Sequence, residues 1–139
     1  KDMTDIVTHG FEGRRSGPKL ADDQIGALKG WINALPAPPP LRGVDAAAMR
    51  GQALFASQGC SGCHSGAMLT NNQTVNVGTG AAFQVPSLKG VGWRAPFLHD
   101  GCATTLIDRF GPCGGNQHGD TANLTDANKA DLTAFLETL

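Results

Sequence analysis

Two cysteines and a histidine form the most constraining motif of this chain, the run Cys60-Ser-Gly-Cys-His64. The C-x-x-C-H pattern is typical of covalent c-type haem attachment. Residues three apart lie on nearly the same face of a helical turn, so the thiols of Cys60 and Cys63 can reach one edge of a porphyrin. The motif therefore predicts one covalent haem c, with His64 as the proximal ligand of its iron.

Two other uses of these cysteines compete with haem. A thioredoxin-like redox pair would be expected in a βαβ setting, whereas Gly- and Pro-rich loops follow the motif. A zinc site could combine Cys60 and Cys63 with Cys102 and Cys113, but the ten residues between the second pair are unlike a zinc knuckle. Haem attachment is the favoured interpretation.

Composition suits a single compact domain with much irregular backbone, because the 139 residues include 19 Gly and 8 Pro. Only 17% of residues are charged and the net charge is −1, so nothing indicates nucleic-acid binding. No apolar run is long enough to predict a membrane span. The first residues do not have the pattern of a signal peptide, so we expect a mature form or a fragment.

The first forty residues predict a helix over 20–35 followed by a Pro-rich linker over 36–40. The apolar spacing of this helix recurs in the last one. The matching residues are Leu28, Trp31, Ile32 and Leu35 in the first helix and Leu132, Phe135, Leu136 and Leu139 in the last. Each copy follows a His-Gly pair, at His9 and at His118. We interpret 1–40 as a remnant of a first haem domain, and the role of His9 stays open.

Two further helices are expected in 41–139. Asp45 caps a helix over 46–57, with Met49 on its inner side, and Thr125 or Asp126 caps the last helix. A short helix over 105–110 lies between them. In the same region, Cys102 and Cys113 are either a disulfide or two buried thiols. The bridge is favoured, because covalent haem attachment in bacteria takes place outside the cytoplasm, where disulfides persist.

The second axial ligand, or its absence, decides what a haem iron can do. The side chains able to serve are Met3, Met49, Met68, His9, His99, His118 and a cysteine left free. Met68 follows His64 too closely to reach the other side of the porphyrin. His99 stands in a turn and His118 in a Gly-rich segment able to approach a flat cofactor.

A longer stretch carries a family resemblance. Residues 85–101, with the run Ala-Pro-Phe-Leu-His-Asp-Gly, followed by Thr105-Leu106, resemble the bacterial di-haem cytochrome c peroxidase superfamily. Residues 60–70 fit the haem segment of the same family. The resemblance covers about 46–139. It implies a mostly α, cytochrome c-like domain with long Gly/Pro-rich loops, which we assign to 41–139, of the electron-transferring type.

The resemblance also implies a distal methionine or histidine after the His-Asp-Gly turn. Aligned without gaps, that place falls near Cys113, and an insertion over 111–117 brings His118 there instead. We therefore predict His64 and His118 as the axial pair, with His99 and Met49 as alternatives. A disulfide at Cys113 would brace the inserted loop.

Several other residues are candidates for holding the porphyrin. Arg94 and Lys89 either neutralise haem propionates or are ordinary surface charges. The residues expected to pack on the macrocycle are Phe83, Pro86, Leu88, Pro96 and Phe97.

A closed iron predicts a monohaem electron carrier that docks transiently with other redox proteins in the periplasm or outside the cell. The alternative is the electron-relay domain of a di-haem peroxidase-like enzyme. Nothing in the sequence predicts a catalytic residue.

Overall fold

The computed structural model describes residues 3–114 and 117–139. They fall into two compact units, 1–37 and 38–139. In the first unit, α1 (Met3–Asp5) continues as a π-helix (Ile6–Arg14) and is followed by α2 (Asp22–Ala34). Helix α2 begins two residues later than expected, where the Ala21 N–H donates to Gln24 Oε1 at 2.9 Å.

The apolar residues at the end of α2 are largely exposed. Trp31 is 63% exposed and Leu35 51%, whereas Ile25 is buried. Leu35 is extended, as expected of a residue before proline, and ends the helix.

The second unit is built on two helices, α3 (Ala46–Ser57) and α4 (Asp126–Leu136), with α3 as predicted. The Asp45 carboxylate accepts the Ala48 N–H at 2.9 Å and caps α3. Thr125, not Asp126, caps α4: its Oγ1 accepts the Asn128 N–H at 3.2 Å.

Helices α3 and α4 pack at Gly51. A Cβ at this position would lie 1.9 Å from the Asp131 carbonyl oxygen and 2.8 Å from the Phe135 Cβ. Beside this contact, Arg50 holds Asp131 through two hydrogen bonds, Nε to Oδ2 at 2.7 Å and Nη2 to Oδ1 at 2.8 Å. The absence of a side chain at Gly51 therefore lets the two backbones touch.

The core forms around these helices and the loop between them. Its buried members are Phe55, Val91, Leu106, Leu132 and Leu136, with Phe135 and Leu139 packed against them. The prediction that Met49 lies on the inner side of α3 is wrong, because Met49 is 63% exposed. Helical spacing alone placed it, and the inner face instead carries Ala48, Gly51 and Phe55.

Short elements fill the rest of the second unit. Strands β1 (Thr74–Asn76) and β2 (Ala82–Gln84) pair antiparallel with Val75 opposite Phe83. Single 3₁₀ turns occupy Cys60–Gly62, Val91–Trp93 and Ile107–Phe110. The predicted mostly α fold is confirmed. Within the described part of the chain, no helix has the length and apolar character needed to cross a membrane.

Candidate haem-binding site

The C-x-x-C-H run forms a tight turn at the end of α3. Gly59 has a φ of +76°, which favours glycine, and turns the chain from α3 into the 3₁₀ turn. The His64 N–H then donates to the Cys60 carbonyl at 2.9 Å. Cys60 and Cys63 are free, half-buried thiols, and Cys60 packs against the core. Two unpaired thiols on one turn beside a histidine fit the attachment of haem.

The His64 ring is buried and its orientation is fixed. Its Nδ1 lies 3.3 Å from the Leu69 carbonyl oxygen. A carbonyl only accepts, so Nδ1 carries the proton and Nε2 keeps the lone pair that can bind iron. Phe55 faces the ring at a centroid distance of 6.5 Å and ties it to the core.

The loop after His64 is held by its own hydrogen bonds. The Asn71 N–H donates to the Cys63 carbonyl at 2.8 Å, and Thr70 Oγ1 donates to the Val85 carbonyl at 2.6 Å. Leu69, which supplies the acceptor for His64, has a φ of +52°, a conformation uncommon for leucine. The loop is therefore organised around the proximal ligand.

His118 lies opposite His64. The two ring centroids are 6.1 Å apart and the ring planes are inclined by 32°. Two metal–nitrogen bonds of about 2.0–2.1 Å, added to the two nitrogen-to-centroid distances, give about 6.3–6.5 Å for imidazoles that share one metal ion. The observed separation fits two axial ligands of one iron within a few tenths of an ångström.

Three further observations describe His118 and the segment that carries it. His118 Nδ1 is buried and has no hydrogen-bond partner among residues 3–114 and 117–139. Gly119 has a φ of +81°, and a Cβ there would lie 3.6 Å from Cys60 Sγ. The next N–H, that of Asp120, donates to the Gln58 carbonyl at 3.3 Å. This backbone contact brings the His118 segment to the haem motif.

The electrostatics keep both rings neutral. Burial, with smaller contributions from Arg109 and His64, lowers the pKa of His118 to about 4. Burial also lowers the pKa of His64, although its backbone hydrogen bonds oppose the shift. A neutral imidazole is the form that binds a metal ion. Burial raises the pKa of the Cys60 thiol.

The two alternative distal ligands lie elsewhere. His99 is exposed and stacks on Phe83, with ring centroids 4.2 Å apart. Met49 is largely exposed on α3. Of the three predicted distal residues, His118 is the one whose ring faces His64.

The residues predicted to pack on the porphyrin divide into two groups. Leu88 and Phe97 pack against the core. The other three are exposed: Phe83, whose exposed fraction is 37%, Pro86 and Pro96.

The two predicted propionate partners, Arg94 and Lys89, are also exposed. Arg94 donates a hydrogen bond to the Ser87 carbonyl. Their role toward a propionate remains a prediction.

Arg109 is a cation that acts on the site but could not be identified from the sequence pattern. Arg109 follows an ordinary Ile-Asp pair in a short turn, and no pattern separates it from a surface arginine. Its charge nevertheless contributes to the lowered pKa values of both His64 and His118.

Cys102 and Cys113 are joined in the predicted disulfide, with Cα atoms 5.7 Å apart. The alternative zinc site is thereby excluded for these two residues, since a bridged cysteine offers no thiolate. In the ranges that the structure describes, no group of three or more His, Cys, Asp or Glu side chains could hold a metal ion.

Comparisons with known proteins show which family the chain resembles. The sequence matches the cytochrome c family over residues 48–139. The methylamine utilization protein MauG of Methylorubrum extorquens is 29% identical over 125 residues, a match to 69% of this chain and 35% of MauG. This chain therefore spans about a third of the length of that relative.

The fold has a solved counterpart. A chain of Kuenenia stuttgartiensis hydrazine synthase superposes with a TM-score of 0.79 at 23% identity, covering 96% of this chain and 60% of that one. At this identity the likeness shows the fold. Together with the C-x-x-C-H turn, the family match shows that this chain belongs to the cytochrome c family.

Proposed function

We propose that this protein is a monohaem electron carrier whose iron is closed on both sides by His64 and His118. The observation that carries the proposal is the 6.1 Å separation of the two rings. Haem supplies an iron that gains or loses one electron. An iron closed on both sides would leave no position for a substrate, so the chemistry would reduce to moving single electrons.

The residues of this chain have distinct parts in the proposal. Cys60 and Cys63 hold the porphyrin by thioether bonds. His64, fixed by the Leu69 carbonyl, is the firmly oriented ligand, whereas His118 Nδ1 has no such acceptor among the described residues. Two imidazoles favour a lower reduction potential than a histidine–methionine pair, because a thioether ligand raises it.

The partners would be redox proteins that bind weakly and transiently. A location in the periplasm or outside the cell is supported by the disulfide, which persists in oxidising compartments.

Three measurements on the mature protein test this function. Intact mass must exceed the apoprotein mass by one haem, and the haem must titrate reversibly as a single one-electron couple. The reduced protein should bind carbon monoxide slowly or not at all. Rapid, complete carbon monoxide binding would reveal an open iron and refute the carrier proposal.

A second candidate is the electron-relay domain of a larger peroxidase-like enzyme. It is favoured by the match to MauG, of which this chain spans 35%. Peroxide-dependent oxidation of a reduced electron donor separates the two candidates. A carrier alone shows no saturable turnover with peroxide, and a relay domain shows it only when joined to a second haem domain.

A further inference from the structure

The second unit contains a partly buried cation for which the electron-carrier proposal has no use. Arg109 Nη1 is shielded from solvent and has no hydrogen-bond partner among the described residues. No carboxylate in those residues forms an ion pair with it; the nearby Asp108 accepts instead from Thr104 and Thr105. A buried guanidinium N–H without an acceptor is costly, and an anion bound at this position would remove that cost.

The chain around Arg109 holds the guanidinium in place. A Cβ on Gly114 would lie 2.9 Å from Nη1 and 2.0 Å from the Arg109 carbonyl oxygen, so only glycine lets the loop close over the side chain. The disulfide at Cys113 anchors the loop next to that glycine. On the other side, the guanidinium carbon lies 5.2 Å from the centroid of the Phe110 ring.

The same cation lies close to the haem motif and to both proposed ligands. Phe110, over whose ring the guanidinium lies, packs against the same core cluster as Cys60. Arg109 is also near enough to Cys60, His64 and His118 for its charge to act on all three side chains. Burial lowers the pKa of Arg109 itself, yet arginine stays protonated in proteins. A permanent positive charge therefore lies in the neighbourhood of the two rings.

A porphyrin bound between the two rings brings two carboxylates, its propionates, as the anionic groups at its edge. Arginine binds carboxylates through a planar fork of N–H donors. Arg94, the exposed alternative, already donates to the Ser87 carbonyl.

We propose that Arg109 binds a haem propionate and thereby raises the reduction potential of the iron. This inference rests on the proposed function, since it requires a haem between His64 and His118. A cation stabilises the reduced iron, which carries one positive charge fewer than the oxidised iron. Pairing with Arg109 also cancels the negative charge of the propionate, which would otherwise favour the oxidised form. Arg109 acts here as a positioning residue and not as an iron ligand.

The test compares Arg109→Gln, Arg109→Lys and Arg94→Gln in the haem-loaded full chain. Arg109→Gln should favour oxidation by about tenfold in the equilibrium constant, equivalent to about 59 mV for one electron. Arg109→Lys keeps the charge and should recover most of that shift. The propionate bending vibration in the resonance Raman spectrum should move in both Arg109 variants, because each loses the fork. Arg94→Gln tests the other candidate cation, and it should change the potential and the vibration by less than Arg109→Gln does.

An unchanged potential in Arg109→Gln, or a propionate vibration that moves only in Arg94→Gln, would overturn the assignment. If Arg109→Gln does not fold, the propionate vibration of Arg109→Lys decides the assignment: a moved vibration supports it and an unmoved one refutes it. A wild-type protein without haem, or with an open iron, would instead refute the function on which the inference rests. A normal wild-type spectrum with unresponsive Arg109 variants would refute only the role of Arg109.

Discussion

Replacing Gly51 by alanine tests the helix packing that supports the haem motif. A Cβ there would lie 1.9 Å from the Asp131 carbonyl oxygen, whereas ordinary contact begins at 3.4 Å, so α4 must retreat by about 1.5 Å. Overpacking of this kind costs roughly 1–3 kcal/mol. We take about 2 kcal/mol, which for a unit of this size lowers Tm by roughly 8–16 °C.

The assay is thermal unfolding of the haem-loaded protein, followed by helical circular dichroism and by the haem absorbance. Gly30→Ala is the matched control, because it makes the same change inside helix α2 with nothing within 4 Å of the new Cβ. Alanine is a better helix former than glycine, so the control should not lower the stability. A Gly51→Ala variant as stable as the wild type would refute the close contact of α3 and α4.

Two further predictions concern the second unit. Arg50 lowers the pKa of Asp131, so the ion pair stabilises the fold above the unfolded pKa of that carboxyl, and this stabilisation is lost as pH falls through the folded pKa. Arg50→Gln should therefore move the midpoint of acid unfolding to higher pH. An unmoved midpoint would contradict this. Replacing Cys102 and Cys113 together by serine opens a loop with a sequence separation of 11. By the loop-entropy estimate, the free energy of unfolding measured in urea should fall by roughly 3 kcal/mol. An unchanged free energy of unfolding would show that the bridge does not restrain the unfolded chain.

The sequence was most informative where chemistry and local geometry coincide. Cys60, Cys63 and His64 are identified by spacing alone, and Asp45 marks the start of α3 because a capping carboxylate acts within three residues. The position of His118 followed from a resemblance and an insertion, and the structure places its ring opposite His64.

What the sequence could not predict depends on distant partners. Helical periodicity placed Met49 inward, although the narrow contact at Gly51 leaves that side of α3 exposed. The acceptor of His64 is a backbone carbonyl, which any residue carries, so no side chain identifies Leu69. Arg109 is distinguished only by the glycine and the disulfide that close the loop over it.

The central claim is that His64 and His118 bind the same iron. Low-temperature electron paramagnetic resonance of the oxidised protein tests it directly, with His118→Ala and His99→Ala compared under identical conditions. The wild type and His99→Ala should give a low-spin ferric signal, and His118→Ala should give a high-spin one. A His118→Ala protein that keeps the wild-type low-spin signal would contradict the account.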